Sequence, residues 1–232
     1  MELCYIDKNT ADIMARIAAA AERVGRDKDD VTMLAAVKYA TDEEIDHLCR
    51  VVGVKSVGEN RVQQLLSHYE ALEYRDELDW HFIGTLQTNK VKYIIDKVSM
   101  IHSLDSIKLA AEIDKQAKKH GKIMDVLVEI NSGNEESKSG LAPEDVESFC
   151  KDLSAFSSIR LRGFMTMAPK CEEKAEYLKY FQQTYAQVID IWTKKLHNIG
   201  KPIISMGMSD SFEEAIASGS DIVRIGRSLF VK

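Results

Sequence analysis

Proline is scarce in this 232-residue chain, three in all, and no glycine- and serine-rich stretch interrupts it. Without linker composition, the sequence reads as one domain spanning 1–232. A chain of this length can bury about 70 per cent of the surface its unfolded form exposes, enough for a sizeable core. No apolar run approaches the roughly 20 residues of a membrane span. The opening Met1-Glu-Leu-Cys-Tyr-Ile-Asp7 has neither the basic nor the apolar region of a secretory signal. A cytoplasmic protein without membrane contact is expected. The four cysteines, Cys4, Cys49, Cys150 and Cys171, are widely spaced with no C-x-x-C pair. They read as reduced thiols rather than disulfide partners. The histidines, His47, His68, His81, His102, His120 and His197, show no ligand spacing such as H-E-x-x-H, so no metal is expected. Positive charge is also in deficit. A formal net charge of -6, with lysines scattered among acids, gives no attraction to phosphate backbones, and nucleic acid is not an expected partner.

What the chain does have is alternation. Short β-branched or apolar runs, at Met33–Lys38, Lys55–Gly58, Trp80–Gly84, Met100–Leu104, Asp125–Asn131, Arg160–Thr166, Ile203–Gly207 and Ile222–Gly226, predict strands. Segments with apolar residues at helical spacing fill the gaps: Asp42–Val52, Glu59–Leu72, Thr88–Lys97, Ser106–His120, Pro143–Ala155, Glu172–Leu196 and Ser211–Ala217. A further amphipathic helix, about Thr10–Val24, precedes the first strand. Thr41-Asp-Glu-Glu44 fits a capping box, and Pro143 suits a first helical turn. Repeated strand–helix units imply parallel strands, because each helix returns the chain to the starting edge. Eight of them predict an α/β fold, a single (β/α)8 TIM barrel with an extra N-terminal helix. The open doubly wound alternative lacks its usual G-x-G-x-x-G after the first strand.

In such a barrel, chemistry sits where the strands end, and phosphate sites are frequently built from the loops after strands 7 and 8. Lys38 closes the first strand run. It reads either as a solvated charge or as an amine placed to anchor a carbonyl covalently, which requires a lowered pKa. After strand 7 comes Ser205-Met-Gly-Met-Ser209-Asp210, and after strand 8 comes Arg224-Ile-Gly226-Arg227-Ser228. Small residues let backbone N–H groups approach an anion. Taken alone, Ser209 reads as a helix cap and Gly226 as a turn; together with Arg224 and Lys38 they should converge at one rim. Asn60, after strand 2, could hydrogen-bond a ring substituent or cap the next helix. His81 on strand 3 points inward or outward by alternation and receives no catalytic role. The polar loop from Asn131 to Gly140 could serve as a lid or as a simple solvated loop.

Seven pieces occur in family order: Ala36-Val37-Lys38, Gly58-Glu-Asn60, His81-Phe-Ile-Gly-x-Leu-Gln-x-Asn-Lys90, Ser137-Lys-Ser-Gly140, Gly163-Phe-Met-Thr-Met167, Ser205-Met-Gly-Met-Ser-Asp210 and Val223-Arg-Ile-Gly226. From about Val31 to Phe230 the chain resembles the YggS/PROSC family of pyridoxal 5'-phosphate (PLP) homeostasis proteins, itself similar to the barrel domain of alanine racemase. The resemblance implies a Schiff base between PLP and Lys38. It also implies phosphate contacts from Ser209 and from the backbone at Gly226 and Arg227. Arg224 would face the pyridine nitrogen, with Asn60 near the ring. One departure stands out: Arg227 occupies a position that is often Thr in the family, so a hydroxyl contact there is lost while a backbone contact survives.

The implied function is intracellular PLP (vitamin B6) homeostasis: holding or delivering the cofactor, with PLP-dependent apo-enzymes as possible recipients, no catalytic residues and no turnover. A monomer or weak dimer is expected. The alternatives are a PLP-dependent amino-acid racemase using a second base such as His81 or Lys138, and a Schiff-base lyase acting on a phosphorylated sugar. Racemisation needs an acid–base group on each face of the α-carbon. Racemases of this barrel type take the second group from an additional β domain of a partner chain. No such domain is expected after the eighth strand.

Overall fold

The structure is a computed structural model that describes residues 3–133, 139–194 and 200–232. Eight strands form one closed barrel: β1 (Thr32–Ala36), β2 (Ser56–Glu59), β3 (Asp79–Phe82), β4 (Met100–Leu104), β5 (Met124–Ile130), β6 (Ile159–Thr166), β7 (Ile203–Met208) and β8 (Ile222–Ile225). Each pairs in parallel with the next, and β8 closes on β1 through Thr32 opposite Ile222 and Ala35 opposite Ile225. The helices are α1 (Cys4–Arg23), α2 (Asp42–Asp46), α3 (Val62–Ala71), α4 (Val91–Ile94), α5 (Ile107–Lys119), α6 (Val146–Asp152), α7 (Lys174–Thr193), α8 (Phe212–Ala217) and α9 (Arg227–Phe230). The fold is therefore a (β/α)8 TIM barrel with an N-terminal helix. Residues 134–138, with Ser137 and Lys138 of the polar loop read as a lid or a solvated loop, lie outside the described residues.

Helix α5 shows how the sequence dictates an element. The Ser106 side chain accepts the Leu109 N–H at 3.4 Å and caps the first turn. Leu109, Ala110, Ile113 and Ala117 then recur at helical spacing and are buried, while Lys118 and Lys119 oppose the negative end of the dipole. Gly121, at φ 62°, follows the C-terminus in the left-handed conformation that glycine adopts without strain. Burying each of the two large side chains, Leu109 and Ile113, contributes about 1.5–3 kcal/mol. Ile113→Ala, at the fully buried position of the pair, would remove about half of their combined contribution.

Strand alternation divides the core in two. Outward residues such as Ala35, Trp80, Phe82, Val126, Val128 and Phe164 join the large apolar cluster beneath the helices. Inward residues form two smaller clusters, Leu34 with Ile83 and Ile222, and Met100 with Leu127 and Met165. The interior also holds His81, His102, Ser205 and Arg224, all buried. Helix α1 starts earlier than the sequence pattern predicts. Its Asn9 amide donates to the carbonyls of Leu229 and Val231 at 3.2 and 2.8 Å, tying the C-terminal α9 to α1.

Candidate functional site

Strand parity aims Lys38 at the barrel mouth. Leu34 packs inside the barrel with Ala36 beside it, and Lys38 continues the same two-residue period just beyond β1. Its backbone is held on both sides. The Val37 N–H donates to the Gly58 carbonyl at 3.0 Å, and Gln64 Nε2 on α3 donates to the Lys38 carbonyl at 2.7 Å. The half-buried amine lies 5.0 Å from the centre of the exposed Tyr39 ring. Behind it, Glu59 is fully buried. Burial pushes the Glu59 carboxyl up, opposed by the Asn60 N–H, His68, the Arg61 N–H and Lys38. Its Oε1 has no hydrogen-bond partner among the described residues, although His68 Nε2 lies 3.4 Å away.

Arg224 points inward from β8 and is 5 % exposed. Its Nη1 donates to the carbonyl and hydroxyl oxygens of Ser205 at 2.9 and 2.8 Å, and its Nη2 to the Thr166 carbonyl at 2.9 Å. Burial lowers this guanidinium to about 10, against the attraction of Glu129, so it stays cationic at neutral pH. Glu129 on β5 is itself raised to about 7, first by burial and then by Asp105, with Arg224 pulling the other way.

Ser209 does not cap α8: that position belongs to Ser211, whose Oγ accepts the Met208 N–H at 3.2 Å. Asn60 does not cap α3 either, since Arg61 stands at the cap. The Asn60 carbonyl is instead covered by Gly84, where an added Cβ would sit 2.1 Å from that oxygen. Gly226 precedes α9 and faces Ala36, whose oxygen and Cβ would lie 3.1 and 3.3 Å from an added methyl. All six residues, Lys38, Asn60, Ser209, Arg224, Gly226 and Arg227, line one cavity of about 460 Å3 at the C-terminal ends of the strands. Segments after β1, β2 and β7, the end of β8 and the start of α9 thus converge, as the rim of a closed barrel requires. The volume is within the range of small-molecule sites.

His81 points into the interior with both ring nitrogens engaged and is not among the residues lining the cavity. Lys138 lies outside the described residues. Sequence reasoning passed over Tyr39, Glu44 and Asp210, which also line the cavity. The advance signals were the place of Asp210 in the loop after strand 7 and the Glu44 capping box, which accounts for its backbone role and not for its place in the wall. Among the described residues no group of side chains is suited to hold a metal ion, and no helix is long and apolar enough to cross a membrane.

The family model "Alanine racemase, N-terminal domain" matches residues 8–232. A pyridoxal phosphate homeostasis protein from Aquifex aeolicus is 42% identical over 218 residues, covering 94% of each chain. The chain belongs to this family. A pyridoxal phosphate homeostasis protein from Pseudomonas aeruginosa is 34% identical over 226 residues, covering 97% of this chain and 94% of its own. Among solved structures, PipY of Synechococcus elongatus PCC7942 with PLP bound superposes with a TM-score of 0.81 at 27% identity. That match covers 94% of this chain and all of PipY.

Proposed function

We propose that the cavity holds PLP and that the protein serves PLP homeostasis, as a holder rather than a catalyst. One observation carries this reading: an amine, a buried guanidinium, and two turns of small residues, distant in sequence, line one cavity. The PLP-bound PipY neighbour and the names of the relatives support the choice of ligand. When bound, PLP supplies an aldehyde that condenses with an amine and a ring that can act as an electron sink. Lys38, directed over the mouth, is the amine for the Schiff base. Arg224 faces the ring nitrogen. Ser209 and the backbone N–H groups of Gly226 and Arg227 take the phosphate, Gly226 having no side chain to fill the space beside Ala36. Asn60 borders the ring.

A cationic guanidinium against the ring nitrogen disfavours its protonation and weakens the electron sink. That suits storage and delivery to PLP-dependent apo-enzymes better than turnover. Borohydride reduction followed by intact mass measurement and peptide mapping tests the assignment. A phosphopyridoxyl adduct on Lys38 is expected, and an adduct on another lysine overturns it. Lys38→Ala should abolish the adduct and the yellow colour while leaving the circular dichroism of the fold. Exchange of amino-acid α-protons into deuterated solvent that depends on Lys38 would replace the holder with the racemase reading.

A further inference from the structure

The barrel interior contains an unbroken file of side-chain hydrogen bonds. Arg224 Nη1 meets Ser205 Oγ at 2.8 Å, Ser205 Oγ meets His102 Nδ1 at 3.1 Å, His102 Nε2 meets His81 Nδ1 at 2.8 Å, and His81 Nε2 meets Asp79 Oδ2 at 2.8 Å. Asp79 is the first residue of β3, at the end of the barrel opposite the cavity, and its side chain is 47% exposed. The direction of every bond follows from its ends. Arg224 can only donate, so Ser205 Oγ accepts from it and gives its own proton to His102 Nδ1. His102 then carries its proton on Nε2 and donates to His81 Nδ1, and His81 Nε2–H donates to the Asp79 carboxylate. Each donor meets one acceptor with both imidazoles neutral. Burial first, and then the charge of Arg224, push His102 well below its usual range, and the hydrogen bond from His81 holds Asp79 below its own. The reverse order would aim both Arg224 and His102 at Ser205 Oγ. Its hydroxyl proton would then have no acceptor among the described residues, at a cost of about 1–3 kcal/mol for a buried group.

We propose that Ser205, His102 and His81 are positioning residues for Arg224, forming a one-way hydrogen-bond chain that fixes the guanidinium at the cavity by anchoring it to Asp79 at the barrel floor. The affinity part of the test rests on the PLP reading; the tautomer part does not. In nitrogen-15 spectra of the histidine-labelled full chain, His81 and His102 should both be protonated on Nε2. Asp79→Lys exchanges an acceptor-only end for a donor-only end, so it should move both protons to Nδ1. PLP affinity should fall about fivefold, the equivalent of roughly 1 kcal/mol for one displaced hydrogen bond. Asp79→Glu should restore both readouts. A wild-type His102 protonated on Nδ1, or an Asp79→Lys chain whose tautomers or PLP affinity match the wild type, overturns the proposal. If Asp79→Lys does not fold, Ser205→Ala breaks the file at its other end, and unchanged PLP affinity in that variant overturns it equally. Failure of the wild type to take up PLP would sink the homeostasis reading alone, leaving the tautomer assignment to stand or fall on the spectra.

Discussion

Glu129→Gln should stabilise the PLP-free protein at pH 8 and do nothing below pH 4. Glu129 is buried on the inner face of β5, where desolvation, and then Asp105, raise its carboxyl from 4.5 to about 7. The folded state therefore holds this proton more tightly than the unfolded chain. Stability is complete below the unfolded value and falls as pH rises from 4.5 through about 7, because the unfolded state ionises first. At 1.36 kcal/mol for each pH unit, that interval amounts to about 3 kcal/mol. Glutamine keeps the shape and stays neutral, so it lacks this loss. Urea unfolding of wild type and variant at intervals from pH 4 to 8 reads the difference. With a slope near 3 kcal/mol per molar urea, the midpoints should coincide at low pH and separate by about 1 M at pH 8. A separation independent of pH, or a variant weaker than wild type at pH 8, would show instead that ionised Glu129 is compensated by Arg224, and would refute the reasoning.

Gly84→Ala should destabilise by about 1–3 kcal/mol, because its methyl would lie 2.1 Å from the Asn60 carbonyl, a backbone atom with no rotamer to give way. Thermal melting reads this as a fall of roughly 2–4 °C for each kcal/mol in a chain of this size, with PLP affinity falling too as Asn60 shifts. Thr41→Ala removes the acceptor of the Glu44 N–H at 3.2 Å and should cost about 1 kcal/mol, while leaving the cavity lining in place and PLP uptake unchanged. Equal losses of stability and of uptake would mean that α2 shapes the site.

The barrel was legible because its signals are local and repeated. Parallel strands buried on both faces read as apolar runs, and β4 spans Met100–Leu104 as the pattern predicts. The capping box formed as the four-residue motif requires, with both reciprocal bonds present. Helix α1 was cut short because the polar run Asp7-Lys-Asn-Thr10 masks the buried Ile6, and four-residue α9 is too short to show a period. Lys38, Ser209, Arg224 and Gly226 could be brought together from sequence because a closed barrel gathers every strand end, while Asn60 and Arg227 joined them through the family resemblance. Sequence could not tell how deep each would lie. Arg224 is buried within the strand layer rather than standing at the rim, and the inward turn of His81 depended on a parity that one isolated strand does not fix. His102 and Ser205 are separated by 103 positions, so nothing local announces their contact.

The polar file through the barrel also bears on why such a core persists. Exchanging a buried ionic network for apolar groups of similar volume is often neutral or stabilising, whereas removing some members and stranding a charge costs about 3–5 kcal/mol. Leu34, Ile83 and Ile222 on one side, and Met100, Leu127 and Met165 on the other, show that this interior accepts apolar packing. If the file serves the cavity and not the fold, His81→Leu, His102→Leu and Ser205→Ala combined should weaken the protein by about 1–3 kcal/mol, because Arg224 would lose its Ser205 hydroxyl partner while keeping the Ser205 and Thr166 carbonyls. Adding Arg224→Met should then recover most of that loss while leaving PLP affinity severely reduced. Urea unfolding and PLP titration of the two combined variants separate the cases. A four-residue variant less stable than the three-residue one would mean that the file is kept for stability, and that its meeting with the cavity is incidental.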